Sequence, residues 1–152
     1  MSVSNPYYKG VKVARVATRG VKEIVSKGYY DKDKQTKQRW LLELIKAICD
    51  HYDITYPTLN IISNSRNYYQ VRSETINLNK PSMVSMLHEL RHHIQHKANK
   101  QYKDHNEEED ARAWSLRVFK LACPGSFKRS VKAGNIQHIK WVDGEVVNSR
   151  GY

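Results

Sequence analysis

The residues best suited to chemistry in this chain are His88 and His92, which flank a glutamate in the sequence His-Glu-Leu-Arg-His. On an α-helix, residues four positions apart project from the same face, so the two imidazoles could bind one metal ion. Glu89 would lie beside that ion, where its carboxylate could accept a proton from a water molecule. A catalytic zinc site uses such groups to activate water. The spacing therefore predicts a zinc site with Glu89 as the general base.

The segment around these residues has the pattern of an amphipathic helix. Apolar residues recur at helical spacing through Met83, Leu87, Leu90 and Ile94. Ser82 precedes this pattern, directly after a proline, and is predicted to be the N-cap. Such a helix would bury one face and hold both histidines in the geometry that metal binding requires.

Catalytic zinc sites normally have three protein ligands and a water molecule, so one ligand remains to be found. By residue type the candidates are His93, His96, His105, Glu107, Glu108, Glu109, Asp110 and His138. His93 lies about 100° around the helix from its neighbour His92, so it is predicted to point elsewhere. His96 lies two turns from His88, about 12 Å along the axis, which is too far for both to bind the same ion.

An acidic run opens the next predicted helix, which extends from about Glu107 to Ala122. Fifteen residues separate His92 from Glu108, and an antiparallel return over that length would bring the first turn of this helix back to the motif. Glu107 and Glu108 each share a helical stripe with apolar residues farther along. Periodicity therefore leaves both glutamates open as the third ligand.

The two segments together resemble a known family of enzymes. His88-Glu-Leu-Arg-His92, followed by Glu108-Glu-Asp-Ala-Arg-Ala-Trp-Ser115, resembles the gluzincin pattern of HExxH with a downstream Glu-x-[Glu/Asp]-Ala segment. Among gluzincins the chain is most similar to the small ImmA/IrrE-type metallopeptidases and to related phage-encoded or mobile-element proteins. The resemblance implies a minimal zincin-like fold, with HExxH on the central helix and a second helix that supplies Glu108 as the third zinc ligand.

The same resemblance implies a substrate class and a neighbouring strand. Enzymes of this type often cleave transcriptional repressors. Their fold implies a short sheet whose edge strand leads into the motif helix, as Thr75–Asn79 would here. Gluzincins often carry Asp or Asn four residues after the ligand glutamate, hydrogen-bonded to a motif histidine. Arg112 occupies that position in this chain, so support for the histidine is expected from another residue, such as Asp110.

The rest of the pattern predicts an α+β fold, a small β-sheet packed on helices. Helices are predicted over 11–26 and 37–52, and a charged linker over 28–36. Strands are predicted at 58–63 and on either side of Ser73-Glu74, and an Asp-Gly turn predicts a hairpin within 140–147. The 152 residues are interpreted as one domain, composed of a basic N-terminal segment (1–36), a catalytic core (37–122) and a C-terminal tail with the hairpin (123–152).

The chain is strongly basic, with a net charge of +11. Residues 1–39 hold ten Lys or Arg against three acidic residues. One stripe of the first predicted helix is formed by Lys12, Arg15, Arg19 and Lys22. A surface of this kind favours nucleic acid or acidic proteins as partners without distinguishing between them.

Cysteine content and hydropathy predict the compartment. Cys49 and Cys123 lie far apart in the sequence and are expected to be buried thiols in a reducing environment. No apolar run reaches the roughly 20 residues of a membrane span. A cytoplasmic protein without a membrane partner is therefore expected.

The leading hypothesis is a zinc-dependent endopeptidase that hydrolyses an intracellular protein, with a transcriptional regulator as one substrate class. The strand near Ile76–Asn79 could align an extended substrate by main-chain pairing. Candidate oxyanion donors are Tyr68, Tyr69, Tyr102, His105 and His138. One alternative is a SprT-like metalloprotease that acts on DNA-bound proteins, with His105 as third ligand. Another is a non-catalytic basic module that binds nucleic acid or protein and is stabilised by its metal.

Overall fold

The computed structural model describes residues 11–98 and 107–134 of the chain. Over these ranges the fold is α+β, as predicted, with five α-helices and one three-stranded sheet. The helices are α1 (Arg15–Ser26), α2 (Lys34–Tyr52), α3 (Met83–Ala98), α4 (Glu107–Ala122) and α5 (Pro124–Lys132). The strands are β1 (Thr58–Ile61), β2 (Tyr68–Gln70) and β3 (Thr75–Leu78). The hairpin predicted within 140–147 lies outside the described residues.

The first helix is amphipathic, as its sequence predicts, although it begins at Arg15 rather than at residue 11. Ala17 and Val21 are buried between α1 and its neighbours, α2 and α4. Arg15, Arg19 and Lys22 of the basic stripe lie exposed on the opposite face, and Lys12, which precedes the helix, is exposed as well. The helix therefore presents its cations to solvent and its small apolar residues to the core.

The linker predicted over 28–36 is wrong in part, because α2 begins at Lys34 and not at residue 37. Asp33 is its N-cap, and the Asp33 carboxylate accepts a hydrogen bond from the backbone N–H of Thr36 at 2.8 Å. Ahead of this cap, Tyr29–Asp31 form a single 3-10 turn. Tyr29 is buried there, and its hydroxyl donates to the carbonyl of Pro81 at 2.6 Å.

The sheet has the order β1–β3–β2, with β1 parallel and β2 antiparallel to β3. The predicted pairing across Ser73-Glu74 is confirmed, since Tyr69 lies opposite Ile76. The prediction that Thr75–Asn79 is an edge strand is wrong. β3 is the central strand, all four of its residues are buried, and both of its sides are already hydrogen-bonded to neighbours. β2 is instead the edge strand beside the motif helix.

Helix α3 lies between the sheet and α4, and it contacts β3, β2, α2 and α4. Its apolar face is fully buried through Leu87, Leu90 and Ile94. Helix α4 begins at Glu107 and ends at Ala122, which are the predicted bounds. Because α3 is enclosed on several sides, four of its polar side chains are buried as well: Glu89, Arg91, His93 and Gln95.

A fifth helix follows α4, in a region that was predicted from the sequence to be a C-terminal tail. Pro124 ends the preceding helix, as predicted, but it also occupies the first turn of α5. Phe127 of α5 is buried, and its ring meets that of Phe119 edge-on at 6.2 Å between centroids. Residues 124–132 therefore extend the packed core rather than leave it.

Cys49 and Cys123 are buried free thiols, as expected, and burial raises the pKa of the Cys49 thiol to about 12. Among the described residues, no helix combines the length and the apolar character needed to cross a membrane.

The close crossing of α1 and α2 provides a test of the fold. A Cβ atom at Gly20 would overlap Cδ1 of the buried Leu44. Replacing Gly20 with Val should therefore lower the free energy of unfolding by about 1–3 kcal/mol, measured by urea denaturation, because the core must move to admit the side chain. The exposed neighbour Arg19, also changed to Val, is the control and should lose only about 0.5 kcal/mol through helix propensity. Equal losses in the two variants would contradict this packing.

Candidate metal centre

The geometry of the centre begins with the N-terminus of α3. The Ser82 hydroxyl accepts a hydrogen bond from the backbone N–H of Ser85 at 3.3 Å, which confirms Ser82 as the predicted cap. The apolar face of α3 packs on the core, so His88 and His92 project from another side of the helix. They lie one turn apart and are half-buried. Their ring centroids are 5.1 Å apart with a steep angle of 77° between the planes.

Helix α4 brings Glu108 to these two rings. One carboxylate oxygen of Glu108 contacts Nε2 of His88, and the other lies 3.4 Å from Nε2 of His92. Glu107, which periodicity left as an equal candidate, uses its backbone carbonyl to accept a hydrogen bond from Gln95 instead. Of the two glutamates, Glu108 is the one whose carboxylate meets both imidazoles.

Glu89 adds a second carboxylate to the cluster. One ligand atom from each of His88, Glu89 and His92 lies within 4.8 Å of the other two. Only 7% of Glu89 is exposed. Burial raises the pKa of its carboxyl group, although the charges of His88 and His92 act in the opposite direction. The group is therefore a stronger proton acceptor than a solvated glutamate.

The orientation of His92 is fixed by Gln95, one turn farther along α3. The Gln95 side-chain amide donates to Oδ2 of Asp110 at 2.7 Å and to the carbonyl of Glu107 at 2.9 Å. Both hydrogens of that amide are thereby used, so its oxygen faces Nδ1 of His92 at 2.8 Å. An amide oxygen can only accept, hence Nδ1 of His92 carries a proton. In the neutral ring, Nε2 is then the nitrogen with the free lone pair.

A buried ion pair lies beneath this hydrogen bond. Arg91 Nε donates to Oδ2 of Asp110 at 2.7 Å, and a second guanidinium nitrogen donates to Oδ1 at 3.2 Å. The two side chains are only 2% and 1% exposed. The Arg91 guanidinium also lies over the ring of Trp114, 5.2 Å from its centroid. Asp110 thus supports His92 through Gln95, rather than by direct contact.

The donor set fits a divalent cation. In a neutral His92 the Nε2 lone pair faces a carboxylate oxygen, and two electron-rich atoms need a positive charge between them. A proton on His92 can supply that charge. Burial alone would lower the pKa of His92, but its hydrogen bonds to Glu108 and Gln95 outweigh burial, and the pKa is raised. Hydrogen bonds from His88 and then His92 lower the pKa of Glu108. Two imidazole nitrogens and a carboxylate are also a common protein ligand set for catalytic zinc.

The other histidines and tyrosines named from the sequence have separate places. His93 is fully buried and points away, as predicted: its Nε2–H donates to the carbonyl of Thr55, and its Nδ1 accepts from the Tyr69 hydroxyl. Because the Tyr69 hydroxyl donates its proton to His93, Tyr69 is a poorer oxyanion donor than its position alone suggests. Tyr68 is 43% exposed on the edge strand, beside the cluster.

Three of the named candidates, Tyr102, His105 and His138, lie outside the described residues. Gln95 and Arg91 were not predicted from the sequence to support the site. Its spacing could have revealed Gln95, because a residue three positions after a histidine on a helix can reach that histidine.

No family model, curated protein or solved structure matches this chain.

The role of Gln95 gives a prediction about metal affinity. Changing Gln95 to Met, which is similar in size but cannot accept from His92, should weaken zinc binding by roughly 10–100-fold. Competition with a chromogenic chelator measures this affinity directly. Gln35, which is exposed in the first turn of α2, is changed to Met as the control and should bind zinc as the unmodified protein does. Unchanged affinity in the Gln95 variant would contradict the hydrogen bond's role.

Proposed function

We propose that this chain is a zinc-dependent endopeptidase with a minimal zincin-like fold. The observation that supports this most directly is the meeting of His88, His92 and Glu108, with Glu89 beside them. The resemblance to gluzincins of the ImmA/IrrE type assigns the same four residues to the same roles. On that resemblance the substrate is an intracellular protein such as a DNA-binding repressor.

In this proposal His88, His92 and Glu108 hold the zinc ion. When bound, zinc would act as a Lewis acid that polarises the peptide carbonyl and lowers the pKa of a water molecule toward about 7. Gln95 keeps the proton of His92 on Nδ1, so that Nε2 stays available as a ligand.

Glu89 would move the proton. Its carboxylate takes a proton from the attacking water as the water oxygen bonds to the peptide carbonyl carbon. When the C–N bond breaks, Glu89 returns that proton to the leaving nitrogen. The raised pKa of this buried carboxyl group suits both transfers, because it brings the proton affinity closer to neutral pH.

The substrate would lie along β2 rather than β3, because β3 is already paired on both sides. A cleft of about 440 Å³ runs between this edge strand and the metal cluster. We name it the strand cleft, and it is lined by Asn67, Tyr68, Tyr69, Val71, Glu89, His92, His96, Glu107 and Glu108. An extended peptide could pair with the open side of β2 and so pass the cluster.

The SprT-like alternative assigns the third ligand to His105, outside the described residues. The contact of Glu108 with both imidazoles favours the gluzincin arrangement over it. The non-catalytic alternative gives Glu89 no role, although this buried carboxylate borders the cleft. Zinc-dependent peptide hydrolysis is therefore the function that the geometry supports best.

The general base can be separated from the metal by one substitution. Changing Glu89 to Gln should reduce peptide hydrolysis by roughly 10²–10⁴-fold while zinc stoichiometry stays the same, because the amide cannot accept the proton. Activity is followed by mass spectrometry of cleaved peptides and zinc by atomic absorption. Glu43, exposed on α2, is changed to Gln as the control. Full activity in the Glu89 variant would rule out this mechanism.

The third ligand is tested by two neighbouring glutamates. Changing Glu108 to Ala should lower zinc affinity by about 100-fold or more, because one of three protein ligands is lost. Changing Glu107 to Ala should leave affinity nearly unchanged, since Gln95 bonds the backbone carbonyl of that residue. The reverse order of effects, measured by chelator competition, would show that the wrong glutamate was assigned.

A further inference from the structure

A second and larger cleft adjoins the metal cluster, along the start of α3 and the middle of α4. Its volume is about 730 Å³, and we name it the apolar cleft. Its apolar lining comes from the start of α3 and the middle of α4: Pro81, Met83, Val84, Leu116 and Phe119. Apolar walls of this kind bind apolar side chains by removing them from water.

Asn67 and Glu89 line both clefts, so the two clefts meet beside the metal cluster. His88 and Glu89 line the apolar cleft, whereas Glu89, His92 and Glu108 line the strand cleft. A peptide that lies across the cluster would therefore place residues from opposite sides of its reacting bond in different clefts. The residue in the apolar cleft would be close to the scissile bond, because His88 and Glu89 form part of that wall.

Cations give the apolar cleft a definite charge. Its described lining includes Lys37, Lys80 and Arg112, and Glu89 is the only acidic side chain among those lining residues. The Lys37 ammonium lies 5.7 Å from the ring centroid of the buried Tyr29. The Tyr29 hydroxyl in turn bonds Pro81, which is part of the same wall. A carboxylate that enters this cleft would meet positive charge.

We propose that the apolar cleft is the specificity pocket of the enzyme, and that it selects a peptide segment with an apolar side chain next to a carboxylate. The proposal rests on the peptidase function given above. Its apolar walls would hold the side chain, and Lys37 and Lys80 would attract the carboxylate. An acidic side chain and a free C-terminus offer the same chemistry, so the two sources are tested separately.

Cleavage of a peptide library by the zinc-loaded protein tests the preference. One set carries internal Asp or Glu with an amidated C-terminus, a second has a free C-terminus and no acidic side chain, and a third has neither. Mass spectrometry should show faster cleavage of at least one carboxylate set, at bonds within about two residues of an apolar and acidic pair. Equal cleavage of all three sets would overturn the inference while leaving the peptidase function intact.

Charge reversal identifies the residues responsible. Changing Lys37 and Lys80 together to Glu should lower the preference for carboxylate peptides by roughly tenfold, because attraction becomes repulsion. Lys34 and Lys46, which are exposed on α2 and outside both clefts, are changed together to Glu as the control for net charge. A double variant at Lys37 and Lys80 that keeps the preference of the unmodified protein would also overturn the inference.

A binding measurement separates the two possible failures. Calorimetry with the Glu89→Gln protein and the same peptides reports selection without turnover. Carboxylate-dependent binding that the Lys37 and Lys80 changes abolish, found together with no hydrolysis by the unmodified protein, would support the pocket and contradict the peptidase function. Binding with no preference for a carboxylate would contradict the pocket, whatever the outcome for hydrolysis.

Discussion

Arg91 and Asp110 form an ion pair in which both side chains are almost completely buried between α3 and α4. Taking two charges out of water costs several kcal/mol for each ion, and the cost is offset only when the geometry of the pair is good. Here two guanidinium nitrogens bond the two carboxylate oxygens, and the Trp114 ring covers the guanidinium. A shift of one helix along the other would leave both charges buried without their partner. The pair therefore fixes the relative position of the two helices.

The candidate metal centre depends on that position. Arg91 immediately precedes His92, and Asp110 lies two residues after Glu108, so the offset that suits the ion pair also brings Glu108 to both imidazoles. Asp110 has a second role, because it accepts from the Gln95 amide that orients His92. One buried carboxylate thus sets the spacing between the helices and the protonation of a candidate ligand. The two half-buried imidazoles are therefore positioned by side chains that are themselves buried, namely Arg91, Gln95 and Asp110.

The sequence predicted the parts of this arrangement that are local. Ser82, the spacing of His88 and His92, and the bounds of α4 follow from capping and periodicity, which act within a few residues. Tertiary contacts were not available from such patterns. The central position of β3 depends on its pairing with β1, whose residues lie 17 positions away in the sequence. The choice of Glu108 over Glu107 depends on how two helices pack. Asp and Pro both favour helix starts, so the starts of α2 and α5 were predictable from Asp33 and Pro124. Asp33 was instead assigned to a linker, and Pro124 only to the end of α4.

A crystal structure of the zinc-loaded protein, with the ion located by anomalous scattering at the zinc edge, tests the proposed metal centre most directly. We expect one strong peak about 2.0–2.2 Å from Nε2 of His88, Nε2 of His92 and a carboxylate oxygen of Glu108. Gln95 should remain bonded to Nδ1 of His92 in that structure. A zinc ion bound by Nδ1 of His92, or one held without Glu108, would contradict the proposed metal centre.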